Sequence, residues 1–271
     1  MNILLTCVGR RNYIVDYFRE ALIPYNGKVF AANSIRESSG LVAADYAIIV
    51  PSIHSAHYVD LLMELCLTNG IKAIIPLFDL ELPILARAKA QFYTKGIRAI
   101  VSEPNVVEIC NDKLETYRFL SEHGFGVPQT YTSSSDARHA LCQGQLKYPV
   151  IIKPRWGTGS IATFEADDEV EMIAFYRRAK KMIRRTYLST QSENELDKSV
   201  LIQEKIVGQE YGLDVINDLN GDYVTTFTKR KIAMRSGETD AAVTVHDSAL
   251  YEAGKELGNL GMVHSAPKGA E

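Results

Sequence analysis

Along residues 1–104, short continuous apolar runs alternate with longer stretches whose apolar residues fall three and four positions apart. "NILLTCV" is a buried-strand run, and "RNYIVDYFREALI" follows it with helical spacing through Ile14, Tyr17, Phe18 and Leu22. "KVFAANS" and "YAIIVP" read as the second and third strands, and a helix through Val59, Leu62, Met63 and Cys66 comes next. "IKAIIPLFD" is a fourth strand, "LPILARAKAQFYTKG" a helix and "IRAIVSE" a fifth strand. Strands that are apolar throughout and separated by helices predict a parallel sheet covered on both faces, a doubly wound α/β domain. On such a sheet, ligands sit at the carboxyl ends of the strands.

Beyond residue 104 the pattern changes to α+β. "DKLETYRFLSEHGFGVPQTY" (112–131) predicts a helix with Leu114, Tyr117, Phe119 and Leu120 inward, stopped by Gly124 and Pro128. "YPVIIKP", "IATFEA", "VLIQEKIVG" and "EYGLDVINDLNGDYVTTFTKRK" are β-rich, with Asn220-Gly221 as a two-residue hairpin turn. One helix, residues 168–187, interrupts them.

Composition adds limits. The 271 residues are 46% hydrophobic and 23% charged, which is ordinary for a globular chain of about two domains. A net charge of -3 supplies no global field toward nucleic acid or membrane. "RRAKKMIRR" (177–185) is strongly basic, but Ile173, Tyr176, Ala179, Ile183 and Tyr187 form an apolar stripe on the same helix, so the charges read as its solvated face. Four separated cysteines, Cys7, Cys66, Cys110 and Cys142, read as buried thiols in a reducing compartment. "MNILLTCVGRR" enters a strand at once, without a basic leader or a membrane span, so the expected location is cytoplasmic.

Two stretches carry candidate chemistry. In "YPVIIKPRWGTGSIATF" (148–164), Lys153 ends an apolar strand and precedes a loop in which Gly157 and Gly159 let backbone N–H groups approach an anion, with Ser160 as a further donor. The lysine precedes the loop, so this is not a Walker A motif, and no helix follows to make it a dinucleotide fingerprint. Either it is a strand–loop–strand flap over phosphates or a plain hairpin beside a surface lysine. In "VLIQEKIVGQEYGLDV" (200–215), Glu204 ends a strand and Glu210 opens the next. A carboxylate leaving an apolar strand needs a donor, such as a nucleobase amino group or the hydroxyls of a ribose; a solvated hairpin is the alternative.

Lys113 in "NDKLETY", Lys153 in "IIKPRWGTGS", then "QEKIVGQEYGLDV" and "KRKIAMRSGETDAAVTV" together resemble, in order and spacing, the ATP-grasp family, in its carbamoyl-phosphate-synthase large-chain-like branch. The resemblance implies a pre-ATP-grasp domain at 1–104, a linker helix and lid at 105–203, and an incomplete central ATP-grasp subdomain at 204–271. It implies that Lys113 and Lys153 contact the ATP phosphates under a flap of Gly157, Thr158, Gly159 and Ser160. Glu204 would hold the adenine amino group, with the backbone of Lys205 and Ile206 at the hinge, and Glu210 the ribose. Arg235 and, less directly, Lys231 would stand near the phosphate being transferred. "TCVGRR" puts Gly9, Arg10 and Arg11 at a strand end opening a helix, and Asp79 and Glu81 follow the fourth strand; the resemblance implies that these meet the acid substrate, and the alternative is solvated helix-start arginines with carboxylates placed by the helix dipole.

The implied activity is a carboxylate–amine ligase that works through an acyl phosphate, with small carboxylate and amine substrates and with ATP and Mg2+ as cofactors. The family's Glu-x-Asn-Pro metal strand does not occur in the sequence, and "KELGNLGMVHSAPKGAE" does not read as a buried strand, so no magnesium ligand is identifiable. A split chain completed by a complementary C-terminal chain, a shortened non-catalytic nucleotide-binding subunit and an altered C-terminus all remain open, as does a homodimer. A dinucleotide-dependent oxidoreductase is disfavoured by the lack of GxGxxG after the first strand.

Overall fold

The computed structural model describes residues 1–261 except Thr158, Tyr187 and Ser236. The chain packs into two compact units: residues 1–107 with 217–224 and the described residues from 258, and residues 108–216 with 225–257.

The first unit holds a parallel five-stranded sheet of β1 (Asn2–Thr6), β2 (Val29–Asn33), β3 (Tyr46–Ile49), β4 (Ile71–Pro76) and β5 (Arg98–Ala99), in the order β3-β2-β1-β4-β5. Its helices are α1 (Asn12–Leu22), α2 (Ser39–Ala43), α3 (Tyr58–Thr68) and α4 (Leu82–Thr94). Alternate residues of β1 feed two cores: Leu4 packs with Tyr58, Leu62, Leu85 and Phe92, whereas Ile3 and Leu5 pack with Val15, Leu22 and Leu41. That division is what an apolar run with no polar alternation produces when both faces are covered. The expected fifth strand shrinks to two residues, and α2 escapes the sequence pattern.

The second unit contains α5 (Pro104–Asn111) in part, α6 (Lys113–Glu122), β6 (Thr130–Tyr131), α7 (Ser134–Cys142), β7 (Val150–Pro154), β8 (Phe164–Ala166), α8 (Glu169–Ile183), α9 (Leu188–Ser192) and β9 (Val200–Glu204). β6, β9, β7 and β8 form an antiparallel sheet in that order. Val150, Ile152, Val200 and Ile202 pack in one core with Ala137 and Ala140 of α7 and with Met172, Tyr176, Ala179 and Ile183 of α8. Each large side chain so buried is worth about 1.5–3 kcal/mol. The exposed Arg177, Arg178, Lys181, Arg184 and Arg185 lie around that stripe, as the pattern predicts. In α6, Leu114 alone of the four expected inward residues is buried.

A second sheet of three strands, β10 (Tyr211–Asn217), β11 (Tyr223–Arg235) and β12 (Glu238–Thr244), precedes α10 (Ser248–Asn259). The β10–β11 turn is wider than the expected two residues. Asp218 N–H donates to Asp222 O at 2.8 Å and Gly221 takes φ +92°, a three-residue loop ending in a left-handed glycine. The final stretch weighed in the sequence, residues 262–271, lies outside the described residues.

Two other expectations are revised. Cys66 is buried, but Cys7 is only partly so and Cys110 and Cys142 are exposed. "IATFEA" is strand only from Phe164, because Ser160 and Ala162 adopt positive φ and turn the chain first. No helix among the described residues is long and apolar enough to cross a membrane.

Candidate functional site

The alternation of β7 decides where Lys153 points. Ile152 faces the helices, so Lys153 projects from the opposite face of the sheet, beside the neighbouring strand β9. There it meets Gln203 diagonally: Ile151 pairs with Gln203 and Lys153 with Leu201, and Lys153 Nζ donates to Gln203 Oε1 at 2.5 Å. Gln203 is held in turn through its Nε2, which donates to Thr130 Oγ1 of β6 at 2.8 Å.

Lys113 reaches the same place from the first turn of α6. Its Nζ donates to Gly157 O at 2.6 Å, and Lys113 N–H donates to Arg155 O at 3.1 Å. Burial, and then the neighbouring charge of Lys153, push the Lys113 ammonium down to about 8. Burial lowers Lys153 as well. The structure therefore brings the two lysines together. Neither has a carboxylate partner among the described residues, because both resident acceptors, a backbone carbonyl and an amide oxygen, are neutral.

The glycine loop is tightly seated. Gly157 takes φ +103°, and a Cβ there would run into the buried Leu188 of α9. Gly159 and Ser160 are also left-handed, and Gly237, in the β11–β12 turn, lies so close that a Cβ on it would stand 2.6 Å from Ser160 Oγ. Thr158, the fourth expected member of the flap, lies outside the described residues.

The other charged residues expected there, Glu204, Lys205, Glu210, Lys231 and Arg235, each have a partner within the fold. Glu204 Oε2 accepts Gln129 N–H at 3.1 Å, and Gln129 O accepts Glu204 N–H at 2.9 Å, so this carboxylate is fixed against the residue that precedes β6. Lys205 is paired with Glu165 at 2.6 Å, and Ile206 is exposed. Lys231 and Glu210 pair with each other at 2.6 Å, and Arg235 pairs with Asp240 at 3.0 Å. β11 shifts register against β12 between Lys231 and Met234, and such an irregularity re-aims side chains at a strand end.

Arg155 was not anticipated. Almost wholly buried, its guanidinium grips Asp112 through Nε at 2.7 and 2.9 Å and through Nη2 at 2.7 Å, and meets Glu195 through Nη1 at 2.8 Å. Asp112 is also the N-cap of α6, accepting from Leu114 N at 3.0 Å and Glu115 N at 3.4 Å. An aspartate directly before a helical "KLET" was a readable cap signal. The partner of a buried arginine was not.

In the first unit, Gly9 takes φ +48° and its N–H donates to Asn33 Oδ1 at 3.3 Å, while Arg11 N–H donates to Val8 O at 2.9 Å. Those two amides are thus taken internally. Arg10 is exposed and Arg11 partly so. Asp79 is exposed, but Glu81 is turned inward and fully enclosed, accepting from Thr6 Oγ1 and Tyr58 OH at 2.8 Å each. Burial raises its pKa, and burial together with Glu81 pushes the nearby Cys7 thiol up to about 12. The reading of Glu81 as a group facing substrate is corrected accordingly: its side chain ties β1 to α3.

No magnesium ligand is identifiable among the described residues. No group of three or more His, Cys, Asp or Glu side chains gathers among them, and Asp112, Glu210 and Asp240 are ion-paired to Arg155, Lys231 and Arg235. A cavity of about 540 Å³ lies elsewhere in the second unit, lined by Thr226, Thr228, Thr244, His246, Asp247 and Tyr251, and none of the residues considered above borders it.

Residues 110–260 match the ATP-grasp domain family, and residues 3–100 match the PylC-like N-terminal domain. The chain is 23% identical over 224 residues to a carbamoyl-phosphate synthase of Methanobrevibacter smithii, covering 80% of this chain and 52% of that protein. It is 22% identical over 223 residues to a probable alpha-L-glutamate ligase of Shewanella loihica, covering 79% and 68%. Among solved structures, the biotin carboxylase domain of Hydrogenobacter thermophilus 2-oxoglutarate carboxylase, in complex with MgADP, ADP and bicarbonate, superposes with a TM-score of 0.73 at 17% identity. That match covers 96% of this chain and 58% of the other. An L-amino acid ligase from Bacillus licheniformis gives 0.65 at 17% identity, covering 96% and 59%. The chain thus spans a little over half the length of the carbamoyl-phosphate synthase and of these solved chains.

Proposed function

The chain belongs to the ATP-grasp family, and on that premise we propose that it binds ATP at the Lys113–Lys153 pair and serves an ATP-dependent carboxylate–amine ligation. One observation carries the reading: two partly desolvated ammonium groups come near each other, each hydrogen-bonded to a neutral acceptor, while the adjacent carboxylate of Asp112 is taken up by Arg155. Like charges brought together in reduced dielectric are costly unless an anion joins them. A polyphosphate is such an anion, and the backbone of Gly157 and Gly159 adjoins it. Relatives described as an alpha-L-glutamate ligase and an L-amino acid ligase support the reaction class.

In this reading Lys113 and Lys153 hold the phosphate chain and stabilise the charge that spreads over the oxygens as the terminal phosphoryl passes to a carboxylate oxygen and ADP departs. An amine nitrogen then attacks the carbonyl carbon of the acyl phosphate, and phosphate leaves. Glu204 orients the base and Glu210 the sugar; Lys231 releases Glu210 in doing so. Arg235 approaches the transferring phosphate.

Calorimetric titration of the full chain with ADP tests the binding half of the reading. Lys153→Ala should weaken binding by at least about tenfold, the scale of a charged contact to phosphate. Unchanged affinity would remove Lys153 from the site. Phosphate release from ATP and magnesium, assayed with a panel of amino acids, tests the reaction.

A further inference from the structure

We propose that Arg155 is a positioning residue for nucleotide binding, which holds Asp112 away from Lys113 so that the lysine's ammonium stays directed at the glycine loop. The inference rests on the nucleotide reading above.

The pentapeptide Lys153–Gly157 carries three parts of one arrangement: the second lysine, the arginine and the carbonyl that accepts Lys113. Arg155 holds the Asp112–Lys113 step twice. Its carbonyl accepts Lys113 N–H, and its guanidinium engages both oxygens of Asp112. Its own N–H donates to Ser199 O at 2.9 Å, anchoring the clamp to the segment before β9. The side chains of Arg155 and Asp112 are 4% and 10% exposed, so the ion pair is desolvated. A buried pair of this kind contributes little net stability compared with apolar packing, which leaves registration as its use.

The consequence for Lys113 is electrostatic. Asp112 is its immediate neighbour and favours its charged form. Left without the arginine, that carboxylate would be a buried anion beside a part-buried cation that has no ion-pair partner among the described residues, and the two would pair. A lysine paired to Asp112 is a competitor's ligand, withdrawn from Gly157 and from any phosphate there. Arg155 prevents this without bonding the ammonium or, among the described residues, a loop amide; its other carboxylate contacts are Glu195 at 2.8 Å and Glu115 at 3.5 Å.

Arg155→Gln and the double variant Asp112→Asn/Arg155→Gln separate this role from simple packing, since Asn preserves the helix cap and removes the charge. Two readouts apply to the full-length protein: ADP affinity by calorimetry, and the pH midpoint of Lys113 acylation by acetic anhydride, followed by peptide mass spectrometry. Arg155→Gln should lose about tenfold in ADP affinity and raise the acylation midpoint by about one pH unit, the scale of one charged contact. The double variant should return both to within about threefold of wild type, because the two substitutions couple through one interaction. A midpoint unmoved in Arg155→Gln, or a double variant no better than the single, would reduce Arg155 to a packing residue. If Arg155→Gln does not fold, Arg155→Lys, which keeps a cation but not the fork, should show an intermediate midpoint, and a wild-type midpoint there would equally overturn the proposal. Failure of wild-type protein to bind ADP would refute the nucleotide reading and with it the purpose given to Arg155, while the acylation midpoints, which need no nucleotide, would still decide whether Arg155 keeps Asp112 from Lys113.

Discussion

Lys113 donates its ammonium to the carbonyl of Gly157 across forty-four residues of chain, at 2.6 Å, and so ties the first turn of α6 to the glycine loop after β7. The bond orients the lysine without neutralising it. Burial holds the group down to about 8, so in the folded chain the protonated form is disfavoured relative to a free lysine.

That asymmetry has a sign. The unfolded chain binds this proton more tightly than the folded one, so the penalty is present in full below pH 8 and is relieved as pH rises from about 8 toward the ordinary lysine value of 10.5. Lys113→Met should therefore raise stability at pH 7 by about 1–2 kcal/mol, after allowing for the lost hydrogen bond. The same variant should lose ADP binding. Urea denaturation at pH 7 checks the first statement; a lowered midpoint would mean that the ammonium supports the fold.

A polyphosphate reverses the balance. It favours the charged lysine, so ADP binding at pH 8 should take up a fraction of a proton and should weaken as pH rises through about 8. Calorimetry in two buffers of different ionisation enthalpy measures the uptake. Identical enthalpies in both buffers at pH 8 would contradict the placement of phosphate at Lys113.

Gly157 and Gly144 make a controlled comparison. Both have positive φ, but a Cβ at Gly144 meets nothing within 4 Å, whereas one at Gly157 collides with the buried Leu188. Gly144→Ala should cost about 1–2 kcal/mol from backbone conformation alone. Gly157→Ala should cost about 2–4 kcal/mol, with overpacking added, and should also weaken ADP binding. Thermal unfolding of the pair provides the test, and equal losses would show that Leu188 yields.

Gly254 in α10 abuts Thr226 of β11, where an added Cβ would strike Thr226 Cγ2 and stand 2.5 Å from its Oγ1. Gly254→Ala should lower stability by about 1–3 kcal/mol as the helix is pushed off the strand. The acylation midpoint of Lys113 should not change, since that lysine's partners lie on other elements.

The parallel sheet was legible because its strands are apolar on both faces and its longer helices keep the three-and-four spacing. α7 was missed because its inward residues are Ala137 and Ala140, too small to mark a stripe, although Ser133 caps it through Asp136 N–H at 3.2 Å. The nearness of Lys113 and Lys153 followed from motif order. The pairings that tune them did not: Asp112 meets Arg155, and Gln203 meets Lys153, across forty-three and fifty residues. Only strand register and a helix start bring such residues together. Glu81 shows the converse. Its position after a strand end is what a ligand group would have, yet two hydroxyls enclose it.

The Gly157 carbonyl and the Gln203 amide have a further effect. They aim the two lysines but supply no negative charge, so the repulsion that Lys153 exerts on Lys113 acts as a loaded spring. An arriving polyanion would discharge the spring as it binds, and its binding free energy would add to the stability of the fold. Simple anions such as sulfate, carrying less charge over a shorter span, would relax it only in part.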